Sequence, residues 1–141
     1  MEKNLLSKKI EALFNLTLGY SIIDEEEIST DGKTFWTVDG DFLVLTEEEA
    51  EEMVVDYIEQ SASYFNADFL AQMTELPEEI FPHLVDQNEA VARLIEKTCG
   101  LDEFVAEAIR WDGRGHFLSS YDGEELEVEV DGQWFYIYRT N

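Results

Sequence analysis

The sequence predicts an α+β fold, a single domain in which an antiparallel β-sheet carries four or five helices packed against it. Two Asp-Gly pairs, Asp39-Gly40 and Asp131-Gly132, each stand between short runs rich in aromatic and β-branched residues, the pattern of β-hairpins. Between the hairpins, apolar residues recur at the 3.6-residue period of helices rather than in alternation. The composition, 45% hydrophobic and 13% aromatic over 141 residues, supplies a core of the size one domain needs.

In chain order, residues 4–18 place Leu6, Ile10, Leu13 and Phe14 on one face and predict an amphipathic first helix. Lys3, Lys8 and Lys9 make this end the least acidic part of the chain. Residues 1–29 therefore read as an N-terminal helix and an acidic connector, Asp24-Glu25-Glu26-Glu27, with the character of an added segment. The first hairpin joins Lys33–Val38 to Asp41–Thr46. A two-residue type I′ turn at Asp39-Gly40 sets Trp36 opposite Leu43 and Phe35 opposite Val44. Both faces are apolar, which places this hairpin inside the fold.

Thr46 and Glu49 have the spacing of a capping box. They open a helix in which Ala50, Met53, Val54, Tyr57, Ile58 and Phe65 follow the helical period. A short helix at 67–73 and a proline-marked segment at 76–82 lead to a helix at 88–98 with Val91, Leu94 and Ile95 inward. Gly100 suits its left-handed C-terminal cap. Leu101, Phe104, Val105, Ala108 and Ile109 mark a further short helix, and strands at Phe117–Tyr121, Glu125–Val130 and Gln133–Tyr138 finish the chain.

Charge is the strongest functional signal. Against 33 Asp and Glu stand 9 Lys and Arg, a formal net charge of −24. Disorder does not explain it, because the apolar content is that of a folded protein. Halophilic adaptation explains it poorly, since a large aromatic core needs no salt-dependent support. Direct nucleic-acid binding is excluded, because the phosphate backbone demands a positive patch. Such an acidic coat instead fits a cationic partner surface.

Two acidic rows are candidates for that contact. On the helix after Thr46, Glu48, Glu52, Asp56 and Glu59 form a stripe with no basic residue three or four positions away, so it forgoes the usual pairing energy. In the last hairpin a two-residue turn at Asp131-Gly132 sets Leu126, Val128 and Val130 opposite Ile137, Phe135 and Gln133 on a core-facing side. The other side carries Glu125, Glu127 and Glu129 opposite Tyr138, Tyr136 and Trp134. Alternate strand residues lie about 6.6 Å apart, so carboxylates beside flat rings form an evenly spaced row that imitates a nucleic-acid strand. The competing reading leaves the glutamates outward while a helix covers the aromatic rings.

Other chemistry is weakly signalled. In Asp112-Gly-Arg-Gly-His, Arg114 and His116 beside Gly113 and Gly115 have the makings of an anion loop, although paired glycines more often just make a turn. His116, Ser119 or Ser120 and Asp122 are the residue types of a hydrolytic triad, but no nucleophile elbow accompanies them. The carboxylates do not follow calcium-loop spacing, His83 and His116 are the only histidines, and no metal or cofactor is expected. Cys99 reads as a small apolar residue. With no signal-peptide pattern and no apolar run of the roughly 18 residues a membrane span needs, the chain is expected in the cytoplasm.

The stretch Gly113-Arg-Gly-His-Phe-Leu-Ser-Ser-Tyr-Asp-Gly-Glu, the closing Phe135-Tyr-Ile-Tyr-Arg-Thr-Asn and the middle Tyr64-Phe-Asn-Ala-Asp-Phe-Leu resemble a family of small acidic proteins of bacteriophages and prophages, over residues 30–141. The resemblance implies a phage or mobile-element origin and brings no catalytic residue with it. By charge alone the chain is also similar to the anti-restriction and anti-CRISPR proteins that imitate DNA. The expected function is therefore a non-enzymatic inhibitor in the host bacterial cytoplasm. It would occupy the nucleic-acid-binding surface of a CRISPR effector, a restriction enzyme or another nuclease. Its contact residues would be Glu125, Glu127, Glu129, Asp131, Trp134, Tyr136 and Tyr138 or Glu48, Glu52, Asp56 and Glu59. The alternative is an acidic phage adaptor that binds a host protein through an apolar patch.

Overall fold

Apolar alternation in short runs builds one five-stranded antiparallel sheet, and the computed structural model describes residues 4–16 and 28–141. The strands are β1 (Ser29–Thr30), β2 (Thr34–Trp36), β3 (Asp41–Leu45), β4 (Leu126–Val130) and β5 (Gln133–Arg139), in the spatial order β1-β2-β3-β5-β4. Among the described residues six α-helices accompany them: α1 (Leu5–Leu16), α2 (Glu47–Gln60), α3 (Ala67–Thr74), α4 (Asn88–Lys97), α5 (Leu101–Asp112) and α6 (Arg114–Leu118). The fold is α+β, as expected. The acidic run at 24–27 and Lys3 lie outside the described residues. The chain divides into two compact units, one running to Glu52 and resuming at Arg114, the other Met53–Gly113.

In the first unit Phe35, Phe42 and Val44 share one sheet face with Val130, Phe135 and Ile137, and Ala12 and Leu13 of α1 pack into the same cluster. Each of these side chains larger than alanine, once buried, contributes roughly 1.5–3 kcal/mol. The buried face of α1 is Lys9, Ala12 and Leu13, whereas Leu6 is exposed, so the expected face through Leu6 and Phe14 is turned by about one residue. The cause is an ion pair rather than hydrophobicity. Lys9 is fully buried and its Nζ donates to Gly32 O at 2.7 Å and to Glu49 Oε1 at 2.7 Å.

The first hairpin has a different register from the one expected. Trp36 pairs with Asp41, Phe35 with Phe42 and Thr34 with Leu43, a shift of two residues. Thr37 is responsible. Its N–H and hydroxyl donate to Gly40 O at 3.0 and 2.8 Å, and the N–H groups of Asp39 and Gly40 donate to its oxygen, closing a four-residue loop. Asp39 then keeps a negative φ, and no type I′ turn forms. A two-residue shift leaves each side chain on its expected face. Phe35, Phe42, Val44, Leu43 and Leu45 are accordingly all buried, but Trp36 is exposed.

The expected strand Phe117–Tyr121 is absent; its first half belongs to α6. Gly115 is the reason, because its bare Cα sits against the backbone of Gly123, Glu124 and Glu125, where an added Cβ would meet Glu124 C at 2.7 Å and Glu125 N at 2.8 Å.

In the second unit α2, α3, α4 and α5 bury Val54, Ile58, Leu70, Val91, Ile95, Phe104, Val105 and Ala108 as their periodicity predicts, while Tyr57 is half exposed. Gly100 ends α4 with its N–H donating to Ile95 O at 2.8 Å. Its angles, φ 90° and ψ 143°, lie in a positive-φ region open to glycine but outside the left-handed helical well, because it also serves as N-cap of α5, which starts at the next residue.

Candidate docking surfaces

The β4–β5 hairpin forms with the expected register: Glu129 faces Trp134, Val128 faces Phe135 and Glu127 faces Tyr136. Asp131 at φ 52° and Gly132 at φ 82° supply the two positive angles that a type I′ turn requires. The chemistry on the resulting outer face is not a uniform row. Tyr138 is fully buried and its hydroxyl donates to Glu125. Burial first, and then that carboxylate, push the Tyr138 phenol well above its ordinary range. The aromatic side is thus partly covered: Tyr138 is buried, whereas Trp134 remains about half exposed.

Glu125 is further removed from service by Arg114. The Arg114 Nε donates to Glu125 Oε1 at 2.7 Å, and its Nη1 and Nη2 donate to the two oxygens of Glu47 at 2.8 and 3.2 Å. Its guanidinium carbon lies 4.7 Å from the Tyr136 ring centroid, a cation–π distance. Burial disfavours charge on Glu47, yet the hydrogen bonds from Arg114 and Tyr136 together with the Arg114 charge hold the carboxyl below its ordinary value. With a side chain only 12% exposed and two carboxylates on its fork, Arg114 has no capacity for an external anion. The Gly113-to-His116 segment is a helix start with an internal clamp. Glu47 was not foreseen in this role, since its partner lies 67 residues away in sequence.

Among the described residues His116, Ser119 and Asp122 form no hydrogen-bonded triad. Ser119 is buried, with its hydroxyl 2.8 Å from Asp122 Oδ1 and 2.7 Å from Arg139 O, while His116 is exposed with its ring against Phe117. Among the described residues no hydrogen bond joins His116 to Ser119 or Asp122.

Four acidic groups on α2 behave differently. Glu48, Glu52, Asp56 and Glu59 are all exposed, and among the described residues no ion pair reaches them. The capping box that starts this helix is present, with Glu49 N–H donating to Thr46 Oγ1 at 3.2 Å and Thr46 N–H to Glu49 Oε1 at 3.0 Å. Glu127 and Glu129 are exposed beside them in character, and Asp131 is exposed at its turn. Three cations are meanwhile engaged by groups of the chain itself. Besides Lys9 and Arg114, Arg139 donates to Asp39 O at 2.7 Å and Asn141 O at 3.0 Å and stacks 4.0 Å from the Tyr121 centroid.

No protein-family model matches this chain, and neither a curated protein nor a solved structure matches it. Among the described residues no helix is long and apolar enough to cross a membrane.

Proposed function

We propose that this protein is a non-enzymatic inhibitor, of phage or mobile-element origin, that acts in the bacterial cytoplasm by occupying the nucleic-acid-binding surface of a defence or DNA-handling protein. A CRISPR effector, a restriction enzyme or another nuclease has the required cationic groove. The observation that carries the reading is the exposed stripe of Glu48, Glu52, Asp56 and Glu59 on α2, which no ion pair reaches among the described residues. Residues four apart on a helix rise about 6 Å, close to the advance of two base pairs in duplex DNA. Charge complementarity of this kind speeds encounter and makes association salt-dependent. The α2 stripe takes precedence over the β4 row, where Glu125 is held by Arg114 and Tyr138, and Glu127 and Glu129 remain as an auxiliary pair.

The test is competition. The partner is captured from bacterial lysate at low and at high salt, and its binding is measured against its own nucleic acid. Reversing Glu48, Glu52, Asp56 and Glu59 to lysine abolishes binding and inhibition, whereas Glu127→Lys with Glu129→Lys weakens them. Full binding by the α2 variant, or simultaneous binding of protein and nucleic acid without interference, rejects the reading. The second reading, an adaptor that docks through an apolar patch, draws on exposed Trp36 and Val38 in and beside β2. It predicts binding that resists salt and is lost in Trp36→Ala.

A further inference from the structure

Residues 65–72 and 111–112 line an open pocket of about 220 Å³ formed by Phe65, Asn66, Asp68, Phe69, Gln72, Trp111 and Asp112. Its volume is below the roughly 300–1,000 Å³ of sites for drug-sized ligands, so it suits a single side chain. Three of its walls are aromatic. Phe65 and Phe69 stack with centroids 5.9 Å apart, and both lean on Phe104, which anchors them in the core. Trp111 is 72% exposed yet held, because its Nε1 donates to Glu107 Oε1 at 3.0 Å, one helical turn back. A large aromatic left in water and fixed by a hydrogen bond is pre-organised for a contact. The remaining lining is polar, with the neutral amides Asn66 and Gln72 beside the acidic Asp68 and Asp112. Asp68 and Asp112 are exposed and, among the described residues, neither has a cationic partner.

We infer that this cavity is a binding site for an arginine side chain of a partner protein. A guanidinium stacks on an indole or phenyl face and offers a planar fork to carboxylates, so one group satisfies both kinds of wall. A neutral apolar side chain would leave Asp68 and Asp112 unused. An anionic one would be repelled by them and by the net charge of −24. Arginine is also among the residues that dominate protein interfaces.

The test uses the full chain labelled with nitrogen-15, with the indole N–H signals of Trp36, Trp111 and Trp134 assigned from single Trp→Phe variants. The probe is a blocked Gly-Arg-Gly peptide, with Gly-citrulline-Gly and Gly-Lys-Gly as controls at one ionic strength. The expected result is a saturable shift of Trp111 with the arginine peptide alone, leaving Trp36 and Trp134 in place. Asp68→Asn combined with Asp112→Asn weakens that binding about tenfold while the other indole signals certify the fold. Equal movement of all three indoles, equal response to citrulline or lysine, or undiminished binding by the double variant overturns the inference. No nucleic-acid-binding protein enters this experiment, so its failure leaves the proposed function standing.

Discussion

At the scale of single residues, the firmest consequences concern Lys9 and Gly115. A lysine on the apolar face of an amphipathic helix reads in sequence as the polar boundary, and its partner Glu49 comes 40 residues later, so nothing local announces the pair. Removing one member of a buried pair leaves the other without compensation. Lys9→Ala is expected to cost about 2–3 kcal/mol in denaturant unfolding, less than for a fully buried pair because Glu49 keeps some solvent contact. Burial raises the Glu49 carboxyl, but the Lys9 ammonium and the Thr46 N–H pull it further down, to a net position below 4.5. A carboxyl depressed in the folded state contributes stability that is present above its unfolded value and lost as pH falls through the folded one. The wild-type chain should therefore lose stability progressively below about pH 4.5, and Lys9→Ala should show a flatter acid limb. Gly115→Ala forces a Cβ into rigid backbone and should cost about 1–3 kcal/mol, readable as a lowered unfolding midpoint.

At the scale of elements, the two hairpins show what a sequence reveals. No serine or threonine flanks Asp131-Gly132, and its turn and full register were legible. Asp39-Gly40 looked equivalent, but the Thr37 hydroxyl offered the loop N–H groups a better partner and moved the register by two. The five helices read from periodicity are present because each buries its own stripe. The sixth was unreadable, since a five-residue helix has no period to detect and exists here through the close approach at Gly115. The acidic rows were legible as rows, but the withdrawal of Glu125 was not, because it depends on where Arg114 arrives. On α2 the prediction runs against ordinary stability design. Glu52→Lys creates favourable pairs with Glu48 and Asp56 and should stabilise the chain by about 0.3–1 kcal/mol, while weakening partner binding. A variant that melts later and inhibits less would identify the unpaired stripe as a functional feature.

At the scale of the whole molecule, the inward use of Lys9, Arg114 and Arg139 strengthens the interior and leaves the surface more one-signed than composition alone implies. Repulsion among the remaining carboxylates is screened by salt over a length of about 10 Å at 0.1 M. The thermal midpoint should rise between dilute buffer and physiological ionic strength and then level off, with a folded circular-dichroism spectrum throughout. The central strand pair carries a different consequence. Strand β3 bonds to β5 through Leu43 and Tyr138, and Thr140 N–H donates to Asp41 O at 2.8 Å across 99 residues of chain. Met53–Gly113, by contrast, is contiguous and closes on itself. During synthesis the helical stretch can therefore fold while β2 and β3 wait, and the sheet is completed only when β5 emerges. Until then the apolar faces of β3 have no partner strand on that side, so slow translation of the last third of the message would lengthen the window in which this protein aggregates.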